Sequence, residues 1–197
     1  MTGFDGEDFQ DVTFEKVDYS EKRLSGKTFS NCTFVSCTFT KTIFNACTFE
    51  ECTFDKCDLS MVQVKGSTFS QIKLNGCKAI GILWFDIRIP FARHAFTIAC
   101  ADTNISYSSF FGMNLKKAKF TQCVVKEVDF SECHMQEAEL KGCDLEGARF
   151  SGTDLTGADL RGARDYQIDI HGTKVRGARF SLPEATALLD SLGIIID

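Results

Sequence analysis

One periodicity governs what this chain can fold into: a large apolar residue returns at every fifth position. The first series runs Phe4, Phe9, Phe14, Tyr19, Leu24, Phe29, Phe34, Phe39, Phe44, Phe49, Phe54, Leu59, Val64, Phe69, Leu74 and Trp84. The second runs Ile105, Phe110, Leu115, Phe120, Val125, Phe130, Met135, Leu140, Leu145, Phe150, Leu155, Leu160, Ile170, Val175 and Phe180. Of the 19 Phe, all but Phe85, Phe91, Phe96 and Phe111 fall in these two phases. A short fixed period marks stacked repeats, in which each unit buries its apolar side only against its neighbours.

The residue two before each large one is small, as at Cys32, Cys37, Cys47, Cys52, Cys57, Ser67, Cys77, Ala118, Cys123, Cys133, Ala138, Cys143, Ala148, Ala158 and Ala178. The residue between them is usually polar. Small inward, polar outward, large inward is a short stretch of strand alternation. A continuing strand would place another apolar residue two positions on. Gly, Lys, Glu, Gln or Asn stands there instead, as at Gly142, Gly147, Gly152, Gly157 and Gly162. The odd period therefore demands a corner in every repeat.

This pattern resembles the pentapeptide-repeat family, with consensus A(D/N)LXX. The resemblance is purest from Ala138 to Ala163 (AELKGCDLEGARFSGTDLTGADLRGA) and extends from about residue 4 to residue 180. It implies an all-β fold: a right-handed quadrilateral parallel β-helix, four pentapeptides to a coil. With strands about 4.8 Å apart, two blocks of about four coils make a rod about 40 Å long. A coil of twenty also stacks like with like: Phe14 with Phe34 and Phe54, Phe29 with Phe49 and Phe69. Outward, Thr13, Thr33 and Thr53 form one ladder and Thr28, Thr48 and Thr68 another. Lys119, Glu139, Asp159 and Arg179 would stack on one side and Asp129, Arg149 and Asp169 on another, so that opposite charges mostly become neighbours.

The rhythm breaks once. Trp84 and Phe110 are 26 positions apart, one more than five repeats, and Pro90, which cannot donate to a ladder, lies between. The coils are expected over about 4–84 and 105–180. The interruption, a short helical turn or bulged coil that bends the rod, is expected over about 85–104. Within the two coil blocks the phase shows no insertion. At the other end, Ser181 and Glu184 have capping-box spacing. A short C-terminal helix is expected, with Leu182, Ala185, Leu188, Leu189 and Leu192 as its apolar stripe and Gly193 as its stop. With Ile194 and Ile195, and then Ile196, too much apolar surface gathers in 181–197 for one chain to cover, which predicts a homodimer.

Little here suggests chemistry. The ten Cys follow the repeat and read as small core filler, except Cys100 in the break, whose role the spacing does not assign. No metal or cofactor is expected. His94, His134 and His171 meet no acid and nucleophile, so no catalytic residue is assigned and no enzyme is expected. The Gly-rich run lacks the strand and helix that a phosphate loop needs. The formal net charge of -5 argues against direct binding to nucleic acid or an anionic membrane. The N-terminus has neither a basic start nor an apolar core of a signal peptide, so a cytoplasmic location is expected.

Within the family the chain resembles most the group that protects DNA gyrase and topoisomerase IV: the Qnr quinolone-resistance proteins and the self-immunity proteins AlbG and McbG. The shared features are a length near 200, Cys- and Phe-rich N-terminal coils, the one-residue slip and the ending YQIDIHGTKVRGARFSLPEATALLDSLGIIID. The resemblance implies a homodimeric DNA mimic that binds a type II topoisomerase. It would counter a gyrase-targeting antibiotic or toxin. The outward carboxylates Asp129, Glu137, Asp144, Glu146, Asp154, Asp159 and Asp169, with Glu132 and Glu139 beside them, are the candidate partner-binding residues. Several Qnr proteins carry projecting loops between coils; the unbroken phase here gives no sign of one. The repeat by itself is equally compatible with a structural scaffold for a different partner.

Overall fold

The structure, a computed structural model, describes residues 4–89 and 96–194 of the chain. Short parallel strands stack at an interval of twenty residues. One face pairs Thr13–Glu15, Thr33–Val35, Thr53–Asp55, Ile72–Asn75, Ile98–Ala101, Lys119–Thr121 and Glu139–Lys141 into a single sheet. Bridges from Glu139 to Asp159 and from Asp159 to Arg179 carry that face to its end. Its inward column is therefore Phe14, Phe34, Phe54, Leu74, Cys100, Phe120, Leu140, Leu160 and Phe180. At about 4.8 Å per rung, that column spans about 38 Å.

The inward residues form continuous stacks. Phe29 and Phe49 lie 4.9 Å apart at 11°, Phe34 and Phe54 4.7 Å apart at 10°, and Phe110 and Phe130 5.4 Å apart at 12°. Each buried Phe contributes about 1.5–3 kcal/mol by leaving water, and ring packing adds to that. Phe4 lies across the first coil with its ring edge-on to Phe14, Tyr19 and Phe29, closing that end. The threonine ladders form as expected, Thr13 to Thr33 to Thr53 and Thr28 to Thr48 to Thr68.

The small position has a definite chemistry. Where it is Cys, Ser or Thr, its side chain donates to the carbonyl of the large residue 23 positions earlier, on the coil below. Cys57 Sγ reaches Phe34 O at 3.2 Å, Ser67 Oγ reaches Phe44 O at 3.0 Å and Thr153 Oγ1 reaches Phe130 O at 2.7 Å. A small side chain with one donor satisfies a carbonyl that the ladder leaves over, so Cys, Ser and Thr interchange here. Burial pushes the Cys52 and Cys133 thiols up to about 12, so they stay protonated at neutral pH.

Corners place one residue per repeat in the left-handed region. In the second half this is often glycine, as at Gly147 with φ 68°. In the first half Asn31, Ser36, Lys41, Ala46, Glu51 and Lys56 take the same conformation.

The break is narrower than the expected 85–104 and differs in kind. Arg88 N–H still bonds Ser67 O in the ordinary register. By Ile98 the chain is paired again, with Leu74 opposite Cys100. The offset there is 26 in place of 20, so one coil carries six added residues between Arg88 and Thr97. A slip of one is what six leaves after division by five, which is why the phase alone disguised an insertion. The ladder resumes beyond it at Ile98–Ala101. A turn of 3-10 helix, Trp84–Asp86, precedes it. Cys100 is not out of phase but is a large-position residue in the column, buried between Leu74 and Phe120. Pro90, Phe91 and His94 lie outside the described residues.

A second departure follows Arg164. Tyr166 and Ile168 turn inward and Ile170 does not, with Asp165 at φ 59°. Arg164 and Lys174 still pair with Asp144 and Asp154, so the bulge adds no residue. Asp169 consequently does not join the Asp129–Arg149 column.

The C-terminal segment also differs. Residues Glu184–Leu192 form a 3-10 helix whose first flanking residue is Pro183, with no side-chain cap. The expected capping box does not form: Ser181 Oγ instead accepts the N–H of Gly162, at 3.1 Å, on the coil below. Gly193 ends the helix at φ 66°, as expected. Among the described residues no helix is long and apolar enough to cross a membrane.

The corners yield a direct test. Ala46 sits at φ 51° with no side-chain hydrogen bond to compensate. Ala46→Gly is expected to raise unfolding stability by about 0.5–1 kcal/mol, since the left-handed cost to Ala exceeds the entropy cost of Gly. The denaturant midpoint measures it.

Candidate functional site

The candidate carboxylates occupy three kinds of place. Asp129, Asp144, Asp154 and Asp159 each point outward from the middle of a rung and accept the backbone N–H two residues on, from Ser131, Glu146, Thr156 and Arg161. Asp169 does the same toward His171 from within the bulge. Asn104 and Asn114 make the same bond. The Asp or Asn of the repeat therefore shapes the corner that follows it, as in an Asx-turn. Glu137 stands at a corner and Glu146 just before one, both well exposed.

Most of these charges are answered on the rod itself. Asp144 meets Arg164 at 3.0 Å and Lys126 at 3.3 Å; Asp159 meets Arg161 at 2.7 Å and Lys141 at 3.5 Å. Asp129 faces Arg149 at 3.2 Å and Asp154 faces Lys174 at 3.8 Å. Glu137 lies between Lys116 and Lys117, and Glu139 between Lys119 and Lys141. Hydrogen bonding from Arg161 holds the Asp159 carboxyl well below the usual carboxylate range, and Thr156 lowers Asp154. For Asp129 and Asp144 burial opposes ionisation, yet the bonds from Ser131 and Glu146 and the nearby cations outweigh it. What these faces present is alternating, locally paired charge more than a bare acidic stripe.

At the C-terminal end, Ala187 and Leu188 pack against the core, while Ala185 and Leu189 are half-buried. Leu182, Leu192 and Ile194 are exposed, Leu182 by 80%. No residue of the helix is fully buried. Three residues per turn align Leu189 with Leu192 and Ala185 with Leu188, so the stripe expected for an α-helix divides between two rows. Ile195 and Ile196 lie outside the described residues.

One surface feature escaped the sequence reading. Met61, Leu83, Phe85, Tyr107 and Phe111 are exposed by 44–66% and lie on successive rungs at one side of the rod. Their signal was present: Phe85 and Phe111 are two of the four Phe outside the five-residue phases.

Comparison with known proteins matches this architecture. Residues 7–84 match the model of a pentapeptide repeat region and residues 126–162 that of pentapeptide repeats in eight copies, together more than half of the chain. The chain belongs to the pentapeptide-repeat family. Among solved structures, a trypsin-treated variant of QnrB1, a plasmid-mediated fluoroquinolone resistance protein, superposes with a TM-score of 0.64 at 23% identity, over 96% of this chain and 90% of that one. A second trypsin-treated variant of QnrB1 gives 0.50 at 25%, over 100% and 94%. HetL, involved in heterocyst differentiation regulation in the cyanobacterium Nostoc sp. strain PCC 7120, gives 0.40 at 16%, over 88% and 87%. No curated protein sequence matches the chain.

The ion pairs set a pH dependence. The four paired Asp ionise below their unfolded value of about 3.9. Their stabilisation is therefore complete above that value and is lost as the pH falls through the lower folded values. Arg164→Gln should cost about 0.5–1 kcal/mol at pH 7, reduced by the exposure of Arg164. The gap from wild type should close as Asp144 protonates in acid, as thermal melts across pH will show.

Proposed function

We propose that the protein is a homodimeric DNA mimic that binds a type II topoisomerase, DNA gyrase or topoisomerase IV, and shields it from an antibiotic or toxin acting on the enzyme–DNA complex. The observation that carries this reading is the chain-long likeness to QnrB1, which reaches from the Phe-rich coils to the C-terminal helix. The dimensions support it. A rod about 38 Å long replaces a stretch of duplex carrying roughly 22 phosphates at one per 1.7 Å. The six added residues between Arg88 and Thr97 lengthen one connection between rungs, as in relatives whose loops contribute to protection. The protein acts by occupying a surface. It needs no cofactor, performs no catalysis and makes no direct contact with nucleic acid, and it works in the cytoplasm. Glu137, Glu146 and Asp169 are the more exposed carboxylates and meet the partner first, Glu137 and Glu146 together with the lysines they pair with; Asp129, Asp144, Asp154 and Asp159 contribute through columns they also hold together.

The pairing of those columns favours a second reading, a scaffold for a different partner, since paired charges steer weakly. Purified gyrase separates the two. With the protein at micromolar concentration, inhibition of supercoiling, or fewer cleavage complexes in the presence of a quinolone or peptide toxin, is expected. No effect on either would leave only the scaffold.

The dimer is proposed at the C-terminal helix, where Leu182, Leu192 and Ile194 are uncovered, Ala185, Leu188 and Leu189 stand beside them, and Ile195 follows in the chain. Leu182→Asp with Leu192→Asp alters exposed residues only. Sedimentation should give a monomer; an unchanged dimer would place the interface elsewhere.

A further inference from the structure

Midway along the rod one rung is apolar on both of its sides. From Ala79 to Phe85, Ala79, Ile82 and Trp84 point inward and are buried, while Leu83 and Phe85 are exposed. The rungs above and below extend the patch. Met61 lies against Gly81, where a β-carbon would come within 3.7 Å of its side chain. Leu83 bridges to Ser109, which brings Tyr107 and Phe111 alongside. A depression of about 320 Å³ opens between Met61, Gln63, Lys65, Gly81, Leu83 and Asp86.

The fold does not require these side chains. Phe85 and Phe111 stand at outward positions that Ser131 and Ser151 fill farther along the same edge, where serine serves equally well. Five large side chains about half exposed amount to roughly 500 Å², at the upper end of what a monomer shows and commonly functional. The same area falls short of the roughly 800 Å² per partner of a stable protein pair. A second copy is therefore a poor occupant, and the C-terminal helix already offers uncovered apolar surface at an end. Charge at the rim is mixed: Lys65 and Asp86 line the depression, and Lys126 and Asp129 lie on the rung beyond Tyr107 and Ser109. With no excess of either sign, the patch suits a contact made by apolar groups.

We propose that this patch seats a short apolar segment of the topoisomerase, an apolar anchor on the face that Asp129 and Arg149 continue; the inference rests on the function proposed above. An aromatic and Met-rich centre with little charge is the composition of an interface core. On such a rod it would fix the register of binding, which evenly repeated charges cannot do.

The test uses full-length protein immobilised at low density and purified gyrase as the probe, at salt from about 50 to about 200 mM. Phe85→Thr with Phe111→Thr should weaken binding about tenfold or more, with thermal unfolding and sedimentation unchanged. Leu83→Thr, on the same rung, is a second variant and should lower affinity several-fold. The deficit of both variants should persist at the upper salt, because an apolar contact is not screened as ion pairs are. Variants that bind as wild type would overturn the proposal, as would a deficit that disappears at the upper salt. A changed oligomeric state in the variants would also overturn it, by assigning the patch to a copy of this chain. If wild-type protein fails to bind gyrase at all, the topoisomerase reading falls first and this inference with it. Binding by wild type with unaffected variants sinks this inference alone.

Discussion

Everything in this molecule depends on rung-to-rung registry: outside the break, each rung pairs with the residues twenty positions on. Parallel strands of three residues have little stability alone. They persist because registry places Phe on Phe at about 5 Å along several columns, and because, where the small residue is Cys, Ser or Thr, the left-over carbonyl of a large residue finds a donor on the next coil. Apolar burial supplies most of the gain, and the hydrogen bonds make the register unique. A shift by one residue would turn each Phe outward and each corner into a strand.

The same constraint governs the surface. A rung has few outward positions, and the corner claims one of them. At Asp129, Asp144, Asp154 and Asp159 the carboxylate bonds the next turn and also meets a cation on an adjoining rung. One residue thus serves local geometry, stacking and surface potential together. The charge that remains for a partner is small relative to the number of carboxylates. The uncovered apolar surface lies in two places, the C-terminal helix and the rungs beside the added residues. Both are sites where the repeat is least regular.

The break shows how registry accommodates change. Six residues enter between Arg88 and Thr97, yet Leu74 and Cys100 are paired like any other neighbours. A solenoid tolerates insertion at a corner because the cost is one loop closure, which grows slowly with length. An insertion within a rung would have broken the ladder. The bulge at Tyr166 and Ile168 is another accommodation: it keeps the count of residues and exchanges which of them face inward.

The sequence by itself determined the coil of twenty, the columns of Phe and Thr, the inward thiols and the stacking of Lys119, Glu139, Asp159 and Arg179. Each follows from a period that any reader of the chain can count. The sequence could not distinguish a slip of one from an insertion of six, because the phase is blind to multiples of five. It placed Cys100 outside the pattern for the same reason. Nor could it tell that Ser181 bonds the coil below instead of capping a helix, that Asp144 is answered by Arg164, or that Phe85 and Phe111 share one exposed edge. These are relations between residues 19 to 26 positions apart, and only the closed, stacked coil brings them within reach of one another.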